Sequence, residues 1–166
     1  MMSQEKEMGT IDSLVLGEYI LKYGGDMSHL KLQKILYYIQ AYHLAYFGLP
    51  IFEDDFEAWA HGPVSRKVFS ELREISLLYN EIRYVYTPGE TPPEEILSRQ
   101  LTDEQVELVN DVIKEYGTLT GLQLENLTHS ESPWLDSRKG YGPGDKCSVV
   151  IPKETIQEYF RSQIYG

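Results

Sequence analysis

The chain has 166 residues, 42% hydrophobic and 12% aromatic, which suits one domain with a packed core and argues against a disordered chain. Its net charge of −11 argues against binding to nucleic acids or anionic membranes, because phosphate neutralisation requires a basic surface. Its single cysteine excludes an internal disulfide and a zinc-binding thiolate cluster. With a polar N-terminus and no apolar run of about 18 residues, we expect one cytoplasmic domain over residues 1–166 without a signal peptide or membrane helix.

The first part of the chain predicts a loose tail and two helices. The tail covers residues 1–9, and a helix over residues 11–23 follows, with Thr10 as its N-cap. Ser28 is placed to cap a second helix over residues 29–47. This second helix carries apolar residues at i, i+3, i+4 spacing on one face, and tyrosine, leucine and alanine on the others. A helix that is apolar on all sides is surrounded by other elements, so we expect it at the centre of the fold.

The middle of the chain predicts shorter elements. Residues 51–60 are expected to be extended, and Gly62-Pro63 to begin a helix that runs to about Tyr79, with the proline at its first position. Residues 82–86 alternate between β-branched or aromatic and polar side chains and predict a strand. Residues 87–98 begin with three prolines and a glycine and predict an exposed loop.

Two helix starts later in the chain have the same local signal. Thr102 and Thr120 are each followed three residues later by glutamine, the spacing of a capping box. They predict helices over residues 103–116 and from residue 121 to about residue 130. Residues 139–145 predict a glycine-rich loop.

The C-terminal part adds three short predictions. Pro133 opens a further turn, residues 149–151 are a short strand, and Pro152 precedes a last helix. The predicted fold class is therefore mainly α, a compact multi-helix domain around the buried helix at residues 29–47, with one small β-hairpin or short strands.

The histidines give little support for a metal or catalytic site. His29 and His43 share a helix face but lie 14 residues apart, which is about 21 Å, so one ion cannot bridge them. We expect His43 to be buried and bonded to a tyrosine or to Gln40. His129 has serines beside it, but a triad is defined by three-dimensional geometry, and the serines are expected to end a helix. The sequence thus predicts no metal, cofactor or catalytic residue.

Two segments are candidates for binding, at residues 59–67 and 127–134. The N–H groups at Gly62-Pro63 could hold an anion or a partner carboxylate beside Arg66; the alternative is an ordinary helix start with solvated basic side chains. Trp134 could anchor a partner or fill the core. Thirteen tyrosines suit either a mixed core or a protein interface. The candidate binding residues are Trp59, His61, Gly62, Pro63, Arg66, His129 and Trp134.

Four motifs in order carry a family resemblance. They are LKLQKILYY at residues 30–38, FEAWAHGPV at 56–64, LTHSESPW at 127–134 and IPKETIQEYF at 151–160. Together they resemble the phage-associated SocA-like family, also called the Panacea antitoxin domain, which includes GepA-type mobile-element proteins. The resemblance extends over about residues 10–161.

The resemblance implies a mostly helical bacterial, phage or mobile-element protein that neutralises a toxin encoded beside it. Some members bind the toxin directly, and others are proteolytic adaptors that deliver it to a AAA+ protease. The expected partners are therefore a cognate toxin and, for an adaptor, such a protease; the oligomeric state stays open. The family provides no catalytic residues to carry over. Two alternatives remain: a small hydrolase-type enzyme that uses His61 or His129, and a phage regulator that acts through another protein.

Overall fold

The computed structural model describes residues 6–74 and 78–166 and confirms a mainly helical fold. The helices in these ranges are α1 (Ser13–Gly24), α2 (His29–Phe47), α3 (Arg66–Leu72), α4 (Pro93–Gln100), α5 (Asp103–Tyr116), α6 (Gly121–His129), α7 (Ser132–Ser137) and α8 (Lys153–Tyr165). The strands are β1 (Met27–Ser28), β2 (Phe56–Trp59), β3 (Gly62–Ser65), β4 (Glu81–Ile82) and β5 (Val150–Ile151). No helix in the described ranges is long and apolar enough to cross a membrane.

Helix α2 is the centre of the fold, as the sequence predicts. Fifteen of its 19 residues are buried. The Ser28 side chain caps it by accepting a hydrogen bond from the backbone N–H of Lys31 at 3.1 Å. Helices α1, α5, α6 and α8 and strand β3 all pack against it. One hydrophobic core therefore forms around this helix and includes residues from both ends of the chain.

Two small antiparallel sheets complete the structure. Strand β2 lies between β3 and β5, with Phe56 opposite Ser65 on one side and Ile151 on the other. Strand β1 pairs with β4, so that Met27 faces Ile82. Of the strand predicted at residues 82–86, only Ile82 is part of β4. Of the strand predicted at residues 149–151, Val150 and Ile151 form β5.

The predicted helix start at Gly62-Pro63 is wrong. Residues Gly62–Ser65 are strand β3 and pair with β2, with Pro63 opposite Ala58. Helix α3 begins at Arg66, where the Ser65 side chain accepts from the backbone N–H of Val68 at 3.3 Å, and it ends at Leu72 rather than near residue 79. Ile75, which the prediction placed on this helix, lies outside the described residues. An anion site on helical N–H groups at Gly62-Pro63 is excluded, because no helix begins there.

The N-terminal predictions need two corrections. Helix α1 is capped by Asp12 rather than Thr10, since the Asp12 carboxylate accepts from the N–H of Leu14 at 2.8 Å. Residues 6–9 of the predicted loose tail are bound to the domain: the Lys6 ammonium donates to the Ser98 carbonyl at 2.6 Å, and the Gly9 N–H to the Gln105 side chain at 3.2 Å. Residues 1–5 lie outside the described ranges.

The predicted proline-rich loop at residues 87–98 ends earlier than expected. Helix α4 begins at Pro93, because a proline has helical φ and its missing N–H is not required in the first turn. The helix buries Leu97 to 1% exposure between α1 and α5. Both predicted capping boxes are confirmed, at Thr102 with Gln105 and at Thr120 with Gln123.

His43 is buried, but with partners other than those predicted. Its Nδ1 lies 2.5 Å from the Leu49 carbonyl and its Nε2 lies 2.9 Å from the Gln105 amide nitrogen. The imidazole therefore donates from Nδ1 and accepts at Nε2, and burial lowers its pKa. Gln40 instead accepts from the N–H of Ile51 at 2.9 Å and donates to the Phe52 carbonyl at 2.8 Å.

A buried carboxyl group lies within the tyrosine-rich part of the core. Glu131, 7% exposed, accepts a hydrogen bond from the Tyr38 hydroxyl at 2.9 Å. The Tyr38 ring stacks on Tyr116 at 4.4 Å, and the Tyr116 hydroxyl lies 2.6 Å from that of Tyr42. Burial raises the pKa of Glu131 to about 7, because ionisation would place a charge in an apolar environment.

The β2–β3 hairpin presses against α2 and α6 at Gly62. This glycine has a φ of +101°, and a Cβ added there would lie 2.6 Å from Cε of Lys34 and 2.8 Å from Oγ1 of Thr128. Both the backbone conformation and the close approach therefore require glycine.

We predict that Gly62→Ala destabilises the protein by about 2–5 kcal/mol, from positive-φ strain and overpacking. Gly140→Ala is the matched control, because Gly140 also has positive φ, +89°, but nothing lies within 4 Å of an added Cβ. It should cost about 1–3 kcal/mol from strain alone. Urea denaturation of the two variants measures the difference, and equal destabilisation would contradict close packing at Gly62.

We also predict that Glu131→Gln removes a pH dependence of stability. The folded protein keeps the Glu131 proton up to a pKa of about 7, whereas the unfolded chain loses it near 4.5. The folded state thus binds more protons between these values, and its free energy of unfolding falls as pH rises through this window. Relative to the parent, Glu131→Gln should gain about 1–3 kcal/mol between pH 4.5 and pH 7.5. Urea denaturation of the parent and the variant at both pH values tests this prediction, with exposed Glu158→Gln as control. An equal effect of Glu131→Gln and Glu158→Gln on the pH dependence of the free energy of unfolding would contradict it.

Candidate functional site

His61 and His129, from two separate motifs, converge on one carboxylate. His61 follows β2 in the hairpin turn, and His129 is the last residue of α6. Nδ1 of His61 lies 3.1 Å from Oε1 of Glu125, and Nε2 of His129 lies 4.0 Å from the same oxygen. Glu125 is one turn before His129 on α6, which explains how one helix presents both groups to the hairpin.

His61 has two competing partners at one ring nitrogen. The Tyr79 hydroxyl lies 3.0 Å from Nδ1 of His61, the same atom that contacts Glu125. A protonated Nδ1 donates to the Glu125 carboxylate, and an unprotonated Nδ1 accepts from Tyr79. The Tyr79 hydroxyl also lies 3.4 Å from Nε2 of His61, so it can donate there when Nδ1 is bonded to Glu125. The His61 side chain is 43% exposed and Tyr79 is 65% exposed, which places this choice at the protein surface.

His129 and Trp134 form a supporting stack beneath the hairpin. Their ring centres lie 4.0 Å apart with planes 15° from parallel. The Trp134 indole N–H donates to the Trp59 carbonyl at 2.7 Å, and Trp134 is 6% exposed, so it fills the core rather than the surface. Burial lowers the pKa of His129, although the Glu125 carboxylate opposes this shift.

Arg66 and Trp59 share a carboxylate of strand β2, that of Glu57. The Arg66 guanidinium donates to both oxygens of Glu57, at 2.8 and 2.9 Å, and lies 5.4 Å from the centre of the Trp59 ring. The Trp59 indole N–H donates to Glu57 at 2.9 Å. The hydrogen bonds from Arg66 lower the pKa of Glu57. The Arg66 charge is therefore already paired, which argues further against an anion site here.

A buried lysine lies directly beneath the hairpin. Lys34 of α2 has 0% exposure, and its ammonium group donates to the Pro63 carbonyl at 2.8 Å. Burial lowers the pKa of Lys34 to about 7, and the Glu125 carboxylate opposes that shift. Lys34 thus joins the central helix to the Gly62-Pro63 segment.

The seven predicted binding residues divide into an exposed set and a buried set. Gly62, Pro63 and Trp134 are buried, and His129 is half-buried against Trp134. His61, Arg66 and part of Trp59 reach the surface, where Tyr79 joins them. We call Trp59, His61, Arg66 and Tyr79 the junction surface. It presents Trp59, Tyr79 and Arg66, whose residue types are enriched among the residues that contribute most to binding at protein interfaces, together with the imidazole of His61.

Sequence reasoning missed Lys34, Glu57, Tyr79 and Glu125. The spacing of Glu125 and His129, four residues apart on a predicted helix, could have indicated their contact. Lys34 is a charged residue in an otherwise apolar helix and could have been recognised as a buried group in need of a partner. Tyr79 and Glu57 gave no local signal, because their contacts depend on tertiary packing. Within the described ranges no cluster of three or more His, Cys, Asp or Glu side chains could hold a metal ion.

We predict that Lys34→Met abolishes a rise in stability at alkaline pH. The Lys34 pKa is about 7 in the folded protein and about 10.5 in the unfolded chain, so the unfolded chain binds more protons between these values. The free energy of unfolding of the parent should therefore increase with pH there, by roughly 1–3 kcal/mol relative to Lys34→Met between pH 7 and pH 9.5. Urea denaturation across this range tests the prediction. Lys146→Met, at an exposed position, is the control. The prediction would be contradicted if the free energy of unfolding had the same pH dependence in the parent and in Lys34→Met.

Comparison with known proteins supports the motif-based resemblance. The family model described as "Antitoxin SocA-like, Panacea domain" matches residues 32–135, more than half of the chain. The match begins within α2, includes the hairpin and α6, and ends in α7, so it contains every member of the junction surface. No curated protein and no solved structure matches the chain. The fourth motif lies outside the match, in β5 and α8, and packs on the matched part. The chain belongs to the SocA-like Panacea antitoxin family.

Proposed function

We propose that this protein is an antitoxin that neutralises a cognate toxin by direct binding, and that the junction surface contacts the toxin. The observation that carries the proposal is the family match, which includes all four residues of that surface. An antitoxin requires an interface with another protein, and the junction surface has the composition of one. The same observations favour a binding role over an enzymatic one.

The rigidity of the junction surface supports this role. Trp59 and Arg66 are held by Glu57, and His61 lies against Glu125. Trp134, which is buried and stacks on His129, holds the hairpin from below through its hydrogen bond to the Trp59 carbonyl. Because these side chains are already ordered, binding costs less conformational entropy than it would with free rotamers.

Two routes to neutralisation share this binding step. In the first, the bound toxin is inactive as long as the complex persists. In the second, the protein is an adaptor, and a AAA+ protease degrades the toxin that it delivers. Rescue of growth in a host that lacks the protease separates the routes, because sequestration persists there and degradation does not.

A second candidate function, a hydrolase-type enzyme, is favoured by the approach of two histidines to one carboxylate. His61 is partly exposed, and its Nδ1 lies 3.1 Å from Glu125, close enough for this carboxylate to orient the imidazole as a general base. An enzyme of this kind would act on the bound toxin. It predicts that loss of His61 abolishes neutralisation and leaves toxin binding intact.

Co-expression with the adjacent open reading frame tests the proposal. We predict that the double variant His61→Ala/Tyr79→Ala weakens toxin binding at least about tenfold, since each side chain contributes roughly 1 kcal/mol or more at an interface centre. Growth rescue should be lost in parallel. Tyr86→Ala is the matched control, because Tyr86 is 63% exposed, like Tyr79 at 65%, and lies outside the junction surface.

The possible results separate the hypotheses. Weaker binding together with lost rescue supports the junction surface as the toxin interface. Unchanged binding with lost rescue supports the enzyme. Unchanged binding and unchanged rescue place the interface elsewhere, and a lack of rescue by the parent protein contradicts the antitoxin proposal itself.

A further inference from the structure

A second surface lies at the C-terminal end of α2. A groove of about 1030 Å³ runs between this end of α2, the outer face of α5 and the last turn of α8. Its apolar lining consists of Tyr42, Tyr46, Phe47, Leu108, Val112 and Ile164. Tyr46 is 49% exposed, so a large aromatic face is left open to solvent in this groove. We call this surface the α5 groove.

One wall of the α5 groove is strongly acidic. Four carboxylates of α5, with spacings of three, four and four residues, line it beside a single lysine, Lys114. They are Glu104, Glu107, Asp111 and Glu115. This spacing places them in one row along the helix. None of the four has an ion-pair partner within the described parts of the chain, in contrast to Glu57 at the junction surface.

We propose that the α5 groove binds a cationic amphipathic helix of a partner protein. The groove lining follows α5 from Glu104 to Glu115 and continues to Thr118 just beyond the helix. The part on α5 is about 17 Å long, or three helical turns. A partner helix of this length would place apolar side chains at i, i+3, i+4 and i+7 on the aromatic floor. Its lysines and arginines would lie beside the row of unpaired carboxylates, so the electrostatic potentials are complementary.

Other occupants fit this surface less well. Nucleic acids and anionic lipids carry phosphates, which the carboxylates repel. A second copy of this chain has a net charge of −11 and, in a symmetric dimer across the groove, would face its own row of carboxylates. A neutral apolar peptide would cover the floor and leave the row of carboxylates beside it without cations.

The α5 groove is distinct from the junction surface. Lys34 lies beneath the junction and Tyr46 lines the groove, and the 12 residues between them span about 18 Å along α2. The proposal goes beyond toxin binding at the junction, because it assigns a separate surface to a separate segment. A partner at one surface therefore leaves the other available.

Fluorescence anisotropy with a designed peptide tests the α5 groove. The probe is a labelled peptide about four turns long, with leucines on one face and lysines on both flanks. We predict that Glu107→Lys/Asp111→Lys weakens its binding roughly tenfold or more, because attraction is replaced by repulsion at two positions. Tyr46→Ala should weaken it as well, through loss of apolar contact, with Tyr86→Ala as its control.

A charge-matched variant isolates the groove from the overall charge of the protein. Glu154→Lys/Glu158→Lys makes the same change at the same spacing on exposed positions of α8, and it should leave peptide affinity within about twofold of the parent. A peptide with glutamate in place of each lysine should not bind. Thermal unfolding establishes that all variants are folded.

Three results would overturn the proposal: no binding of the lysine peptide to the parent, equal affinity of the parent and Glu107→Lys/Asp111→Lys, or equal weakening by the α8 variant. Growth rescue tests the antitoxin proposal separately, so failure of one proposal does not decide the other.

Discussion

The structure depends on the burial of polar side chains along α2. A helix surrounded on all sides cannot hydrate its polar groups, so a buried group without a partner within the protein is costly. Several polar side chains of α2 have such a partner, although the Tyr37 hydroxyl has none among the described residues. Gln33 pairs with both backbone groups of Ser65, and Gln40 bonds to the Ile51 N–H and the Phe52 carbonyl. Lys34 donates to the Pro63 carbonyl. The central helix thus fixes the position of the segments at residues 51–52 and 63–65 by hydrogen bonds to their backbone groups.

This constraint also explains the composition of the family motifs. The Gly62-Pro63 segment lies against Lys34 and Thr128, so motifs from α2, the hairpin and α6 meet at one point. Glycine is required there by space and backbone conformation, and Trp134 holds the hairpin from below. Much of the sequence signature is therefore packing, and a smaller exposed part, including His61, is free to contact a partner.

Short sequence motifs correctly predicted the helix caps, which depend on contacts within a few residues. The capping boxes at Thr102 and Thr120 and the cap at Ser28 were correct, because each is complete within a few residues. The Gly62-Pro63 helix start was wrong, because the same dipeptide suits a strand when β2 is available for pairing. The convergence of His61 on Glu125 required the tertiary arrangement of the hairpin and α6. The sequence spacing could indicate only the contact of Glu125 with His129, because these two residues lie one turn apart on α6.

The distribution of charge gives the two surfaces different chemistry. At the junction surface, Arg66 is paired with Glu57, so a partner there meets little net field and would bind through aromatic area and hydrogen bonds. In the α5 groove the carboxylates are unpaired, so association there would be steered by electrostatics and weakened by salt. The charge of −11 that argues against nucleic-acid binding is thus partly concentrated where a cationic protein segment could use it. Because α2 lines the α5 groove and also supports the hairpin of the junction surface through Lys34, one helix connects the two surfaces.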